Sequence, residues 1–131
     1  MGWGGDDIRR TKNGRLEILI SFHEVPKPVV ALMLRGEVDD EGAQLLKTVL
    51  DEARSKEIGF IILNTASLTK INSSGISALL ASKSLSLTGG PQIVLVSLSK
   101  ALRFPLEQLG AIPLFQIFDD MPSALEFIGK E

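Results

Sequence analysis

The chain has 131 residues with a formal net charge of −2, and 44% of it is hydrophobic against 23% charged. That size and balance fit one compact globular domain. The absence of cysteine and the single histidine, His23, exclude a disulfide scaffold, a cysteine nucleophile and a Cys/His zinc site, and the near-neutral charge offers no basic footprint for nucleic acid.

In chain order, residues 1–14 are rich in glycine and charge and have no apolar period. They read as a flexible arm, which leaves 15–131 as the folded domain. Leu16, Ile18, Ile20 and Phe22 then alternate with Glu17, Leu19, Ser21 and His23, the period of a strand. Pro26-Lys27-Pro28 interrupts the chain, and Val29 to Leu34 reads as a strand buried on both faces and ended by Gly36. Asp39, Asp40 and Glu41 precede Leu46, Val49, Leu50 and Ala53 at helical spacing, with Arg54 and Lys56 at the other end. That is the charge order a helix dipole favours. Phe60 to Leu63 is a second buried strand. A helix should start near Asn72-Ser73, keep Ile76, Leu79, Leu80 and Leu87 on one face, and stop at Gly89-Gly90-Pro91. Ile93 to Val96 is a third buried strand. Ser99 suits the N-cap of a helix over Lys100 to Leu109, which Pro105 should kink or split. Leu114 to Phe118 reads as a short strand, and Asp120-Met121-Pro122 opens a last helix through Ile128. This order predicts a single α/β domain. Its sheet should be mostly parallel and four- to five-stranded, with an antiparallel edge strand and about four flanking helices.

Catalytic equipment is sparse. There is no nucleophile elbow and no phosphate-binding loop. Two S-x-x-K matches, Ser67/Lys70 and Ser97/Lys100, stand without companion motifs, and His23 reads as a surface histidine on the polar face of its strand. No acidic residue occurs between Glu57 and Glu107, so paired-carboxylate chemistry has no home in the middle of the fold. The acids at Glu37 to Glu41 and at Asp119-Asp120 sit at helix starts, where capping accounts for them. Neither a catalytic residue, a cofactor nor a metal is implied. No apolar run approaches the ~20 residues a bilayer requires, and the N-terminus lacks the pattern of a signal peptide, so a cytoplasmic protein is expected.

The helix after Asn72 is unusual. Residues 73–88 contain six serines and one charge, Lys83. Its outer face should carry Ala78, Ala81, Ser82 and Leu85, a weakly polar surface suited to a covering partner.

The segment Phe60-Ile-Ile-Leu-Asn-Thr-Ala-Ser-Leu-Thr-Lys-Ile-Asn-Ser-Ser-Gly-Ile76 resembles the signature of STAS domains, the group that includes bacterial anti-sigma-factor antagonists. Leu34-Arg35-Gly36-Glu37-Val38-Asp39, Gly89 to Ser97, Leu109 to Ile112 and Phe115 to Asp119 resemble further segments of that family in the same order. The likeness spans roughly residues 15–129. It implies a binding module and no enzyme. The family's antagonists bind a serine-kinase anti-sigma factor, which phosphorylates the first serine of Ser-Ser-Gly and so breaks the complex; a phosphatase restores it. That serine maps onto Ser73, and Asn72 stands where the family usually has aspartate. Asp39, Asn72, Ser74 and Gly75 join the outer helix face as the expected partner-binding set. Two alternatives remain open. One is a STAS subunit of another assembly, such as a lipid-transport ATPase complex or a signalling scaffold, working without phosphate. The other is a small-molecule site near Asn72 to Gly75. A weak homodimer is also left open.

Overall fold

Alternating side chains on the strands become the two faces of one sheet. The computed structural model describes residues 7–24 and 27–131. The first six residues of the expected arm, Trp3 among them, and Pro26 of the expected break lie outside the described residues. Six strands are present: β1 (Asp7–Arg10), β2 (Leu16–His23), β3 (Val29–Val38), β4 (Phe60–Ile71), β5 (Gln92–Val96) and β6 (Gln116–Phe118). The helices are α1 (Asp40–Arg54), α2 (Ser73–Ser86), α3 (Lys100–Gln108) and α4 (Met121–Gly129), with a 3₁₀ turn at Ile112–Leu114. The strands lie side by side in chain order; β1–β2 and β2–β3 are antiparallel and the other three pairings parallel.

The expected α/β architecture is present, with one strand more than the sequence predicts. Asp7–Arg10 is not part of an irregular arm but the edge strand, paired with Glu17 to Ile20. Arg9 fastens it to α1 by two bonds to the Glu52 carboxylate, at 2.9 and 3.2 Å, and also meets Asp7 at 3.1 Å.

Each new parallel strand is added on the same side of the last. Connections of one hand therefore put α1, α2 and α3 on a common face. There Leu16, Ile18, Ile20, Leu32, Ile61, Leu63 and Leu95 pack beneath Leu46, Leu50, Leu79, Leu102 and Leu106. The opposite face buries Val29, Ile62, Val94 and Val96 under Ala124 and Ile128 of α4 alone. Phe127 of α4 meets Phe60 edge-on, with centroids 6.5 Å apart, and Phe118 at 5.2 Å.

Two strands run further than their apolar stretches. β3 continues to Val38 through Gly36, and at Gly36 φ is +110° and a Cβ would lie 2.1 Å from the Arg15 carbonyl oxygen, so only glycine fits. β4 continues past Leu63 through a polar segment to Ile71, with register shifts against β3 that mark a bulge. The buried Thr65 hydroxyl accepts from the Ser99 N–H at 3.1 Å and donates to the Ser97 carbonyl at 3.4 Å. Helix α3 is one continuous segment with Pro105 inside it, and Ser99 occupies its N-cap without a side-chain capping bond, so neither the split nor the cap bond expected there is found. Asp120 caps α4 by accepting from the Ser123 N–H at 2.9 Å, with Pro122 in the first turn.

Candidate functional site

Helix α2 begins where β4 ends. Asn72 has extended dihedrals, and its N–H donates to the Val38 carbonyl at 2.9 Å, which holds the turn against β3. Its side-chain oxygen accepts from the Gly75 N–H at 2.9 Å, the N-cap bond expected of asparagine. Gly75 is buried, and a Cβ there would come within 2.6 Å of Val38 Cγ1 and 2.7 Å of Ile71 Cγ1. Gly75 is thus a packing residue that lets the helix start close to the sheet.

Ser73 is the first helical residue. Its side chain is exposed and makes no hydrogen bond with the described residues. Ser74 is also exposed, and its hydroxyl reaches the Asp40 carboxylate at 3.5 Å. Asp39 caps α1 through the Gly42 N–H at 2.9 Å, accepts from the Asn13 amide at 2.9 Å and lies 3.8 Å from Arg15. The Gly42 N–H, with lesser help from Asn13 and Arg15, holds its carboxyl below the usual aspartate range. Asp39 therefore serves the start of α1 directly, as capping chemistry predicts.

The first turns of α1 and α2 flank a groove of about 490 Å³ lined by Asp40, Gln44, Lys47, Ser73, Ser74 and Ser77, with Ala78 and Ala81 further along. Lys47 is neutralised by Asp51 at 2.9 Å. Lys83, the one charge on α2, sits over the Phe115 ring at 5.9 Å and belongs to a second groove with Leu87, Leu109 and Leu114. The outer face of α2 next to α1 is uncharged, as the sequence suggests. Ala81 and Leu85 are exposed and Ala78 half-buried, but Ser82, expected on that face, is buried at 5% exposure. Leu87, expected inside, is 78% exposed. With small residues on several sides of α2, the inward face is set by how the helix docks.

The other residues weighed for chemistry find no constellation. His23 bonds to the Ser21 hydroxyl at 3.1 Å beside an apolar groove lined by Ile8, Leu19, Met33 and Met121 on the opposite face of the sheet. Ser67 and Lys70 are both exposed on the bulged part of β4, and no hydrogen bond joins their side chains. The Ser97 hydroxyl donates to the Asp119 carbonyl at 2.9 Å. Among the described residues no three His, Cys, Asp or Glu side chains are grouped to hold a metal ion, and no helix is long and apolar enough to cross a membrane.

Asp40 is the residue sequence reasoning missed at this site. It is 32 positions from Asn72, yet its carboxylate accepts from the Asn72 side-chain amide at 2.8 Å. Only its place at a predicted helix start hinted at a role.

Comparison with known proteins agrees with the fold. The chain superposes on an anti-sigma factor antagonist from Mycobacterium paratuberculosis with a TM-score of 0.73 at 18% identity, covering 86% of this chain and 93% of that one. The Bacillus cell fate determinant SpoIIAA in its phosphorylated form gives a TM-score of 0.64 at 21% identity, over 83% of this chain and 98% of that one. A sulfate transporter family protein from Wolinella succinogenes gives 0.65 at 25% identity, over 78% and 84%. The family model of the STAS domain matches residues 23–124, and the chain belongs to the STAS domain family.

Proposed function

We propose that this protein is an anti-sigma-factor antagonist, a binding protein without catalysis of its own. Its α1–α2 surface docks on a serine-kinase anti-sigma factor, and phosphorylation of Ser73 switches it off. The observation that carries the reading is Ser73 itself, an exposed and unbonded hydroxyl at the start of a helix whose own residues along the α1–α2 groove are uncharged. Similarity to an antagonist and to a STAS protein known in a phosphorylated form supports it.

In the switching step the kinase moves the γ-phosphoryl group of ATP to Ser73 Oγ. The O–H proton is lost and ADP leaves. A phosphatase later hydrolyses the ester with water and frees phosphate. The dianion changes the net charge from −2 to about −3.5 or −4. The free N–H groups at the start of α2 accommodate it in the isolated domain. Within a docked interface it must be desolvated beside Asp40 without a matched partner, at a cost of several kcal/mol, and each ~1.4 kcal/mol is tenfold in affinity. The fold survives and the complex does not. The reading implies action in the cytoplasm and a role in transcription regulation.

The test uses the full chain with each serine-kinase anti-sigma factor encoded in the same genome, Mg-ATP and phosphate mapping by mass spectrometry. Label is expected on Ser73, and Ser73→Asp should weaken binding at least about tenfold. Absence of label on Ser73, together with undiminished binding by Ser73→Asp, excludes the reading.

A second reading has its own support in Asn72, which leaves the helix cap uncharged, and in the likeness to a sulfate transporter family protein. Here the protein is a STAS subunit of a different assembly, a lipid-transport ATPase complex or a signalling scaffold. Ser73→Ala and Ser73→Asp would then both bind like the wild type.

A further inference from the structure

Ser73 has an acidic neighbour in space that its sequence surroundings lack. Asp40 is exposed and makes no ion pair with a described residue; its partners are two neutral donors, the Asn72 amide at 2.8 Å and the Ser74 hydroxyl at 3.5 Å. Those donors stand on either side of Ser73. The Asn72 side chain works at both ends, its oxygen capping α2 through the Gly75 N–H and its NH₂ reaching across to α1. An aspartate at this position would keep the cap but turn a carboxylate toward Asp40. The tie between the first turns of α1 and α2 exists because residue 72 is asparagine.

A phosphate on Ser73 brings a charge of about −1.5 to −2 and three acceptor oxygens to this corner. It is a stronger acceptor than a carboxylate for the same amide and hydroxyl, and it repels Asp40. We propose that Asp40 is the residue through which phosphorylation of Ser73 acts on the fold. The phosphate draws the Asn72 amide and the Ser74 hydroxyl away from Asp40, the tie is released, and the groove between α1 and α2 loosens. The inference rests on Ser73 as phosphoacceptor and adds a response inside the domain. The surface that a partner covers then changes in shape as well as in charge.

The closing experiment needs no partner. Phosphoserine is installed at position 73 of the full chain by suppression of an engineered stop codon. Amide hydrogen exchange is then followed at Gly42 and Ala43, whose N–H groups bond to Asp39 in the first turn of α1. Loss of one charge-assisted bond at an exposed site should speed exchange there about three- to tenfold. In Asp40→Asn the phosphate should change it by less than about twofold. Asn72→Asp, unphosphorylated, should already exchange as fast as the phosphorylated wild type, and adding Asp40→Asn should restore slow exchange. Thermal unfolding of each variant verifies that it folds. Equal exchange with and without phosphate, or a full response in Asp40→Asn, overturns the proposal. Failure to bind any kinase would instead strike the functional reading and leave this result standing.

Discussion

Replacing Gly75 by alanine adds one methyl group at the point where α2 leaves the sheet. Helix propensity alone says the change should stabilise, by about 0.5–1 kcal/mol. The packing says otherwise. The new carbon would stand 2.6 Å from Val38 Cγ1, 2.7 Å from Ile71 Cγ1 and 3.0 Å from Ile71 Cδ1, well inside van der Waals contact. Val38 is buried at 2% exposure, and both neighbours are β-branched, so neither yields by a simple rotamer change. Overpacking of this kind costs about 1–3 kcal/mol. The difference leaves Gly75→Ala destabilised by roughly 0.5–2 kcal/mol, a drop in Tm of about 2–8 °C for a domain of this size. Differential scanning calorimetry against the wild type measures it. Gly59→Ala is the control, since a Cβ at Gly59 meets nothing within 4 Å and should leave Tm nearly unchanged. A Gly75→Ala protein as stable as the wild type, or more so, would refute the packing argument.

Two further outcomes follow from the ion pairs and caps. The carboxyls of Asp39, Asp51 and Asp120 are held below the usual aspartate range, by the Gly42 N–H, by Lys47, and by the hydroxyl and N–H of Ser123 respectively. A depressed folded-state pKa stabilises above the unfolded value and loses that effect as pH falls through the folded one. Tm should therefore be level from about pH 8 to pH 5 and fall below about pH 4. Asparagine retains the capping oxygen, so the double variant Asp39→Asn/Asp120→Asn should show a shallower acid limb in calorimetric scans; an unaltered limb contradicts the assignment. Arg9→Ala removes the two hydrogen bonds to Glu52 that fasten β1 to α1. Being half-exposed, the pair should be worth less than about 1 kcal/mol to global stability. Tryptic cleavage after Arg10 and Lys12 should nevertheless accelerate several-fold, and unchanged digestion would show that β1 is held by its backbone pairing alone.

Several parts of this molecule are legible in one dimension because local chemistry decides them. The alternation from Leu16 to His23 specifies a strand with Leu16, Ile18 and Ile20 inward, and all three are at most 1% exposed. Asp39, Asn72 and Asp120 announce three helix starts because their side chains bond backbone N–H groups only three residues away. Asp7–Arg10 gives no such signal. It is short and charged, and its partners in β2 and α1 lie some ten and more than forty residues away. The polar extension of β4 is likewise fixed by pairing with Arg35 to Val38, not by its own residues. Ser82 and Leu87 trade their expected places because a helix with small side chains on several sides takes its inward face from the sheet it meets.

The sequence by itself determined a single α/β domain, a helix with a single charge, Lys83, and Ser73 at its start, since these depend on periodicity, composition and contacts within a few residues. Tertiary structure alone decided what surrounds Ser73. A hydrogen bond from Asn72 to Asp40 spans 32 residues of sequence and 2.8 Å of space, and only the parallel packing of β3 against β4 brings the first turns of the two following helices within that reach.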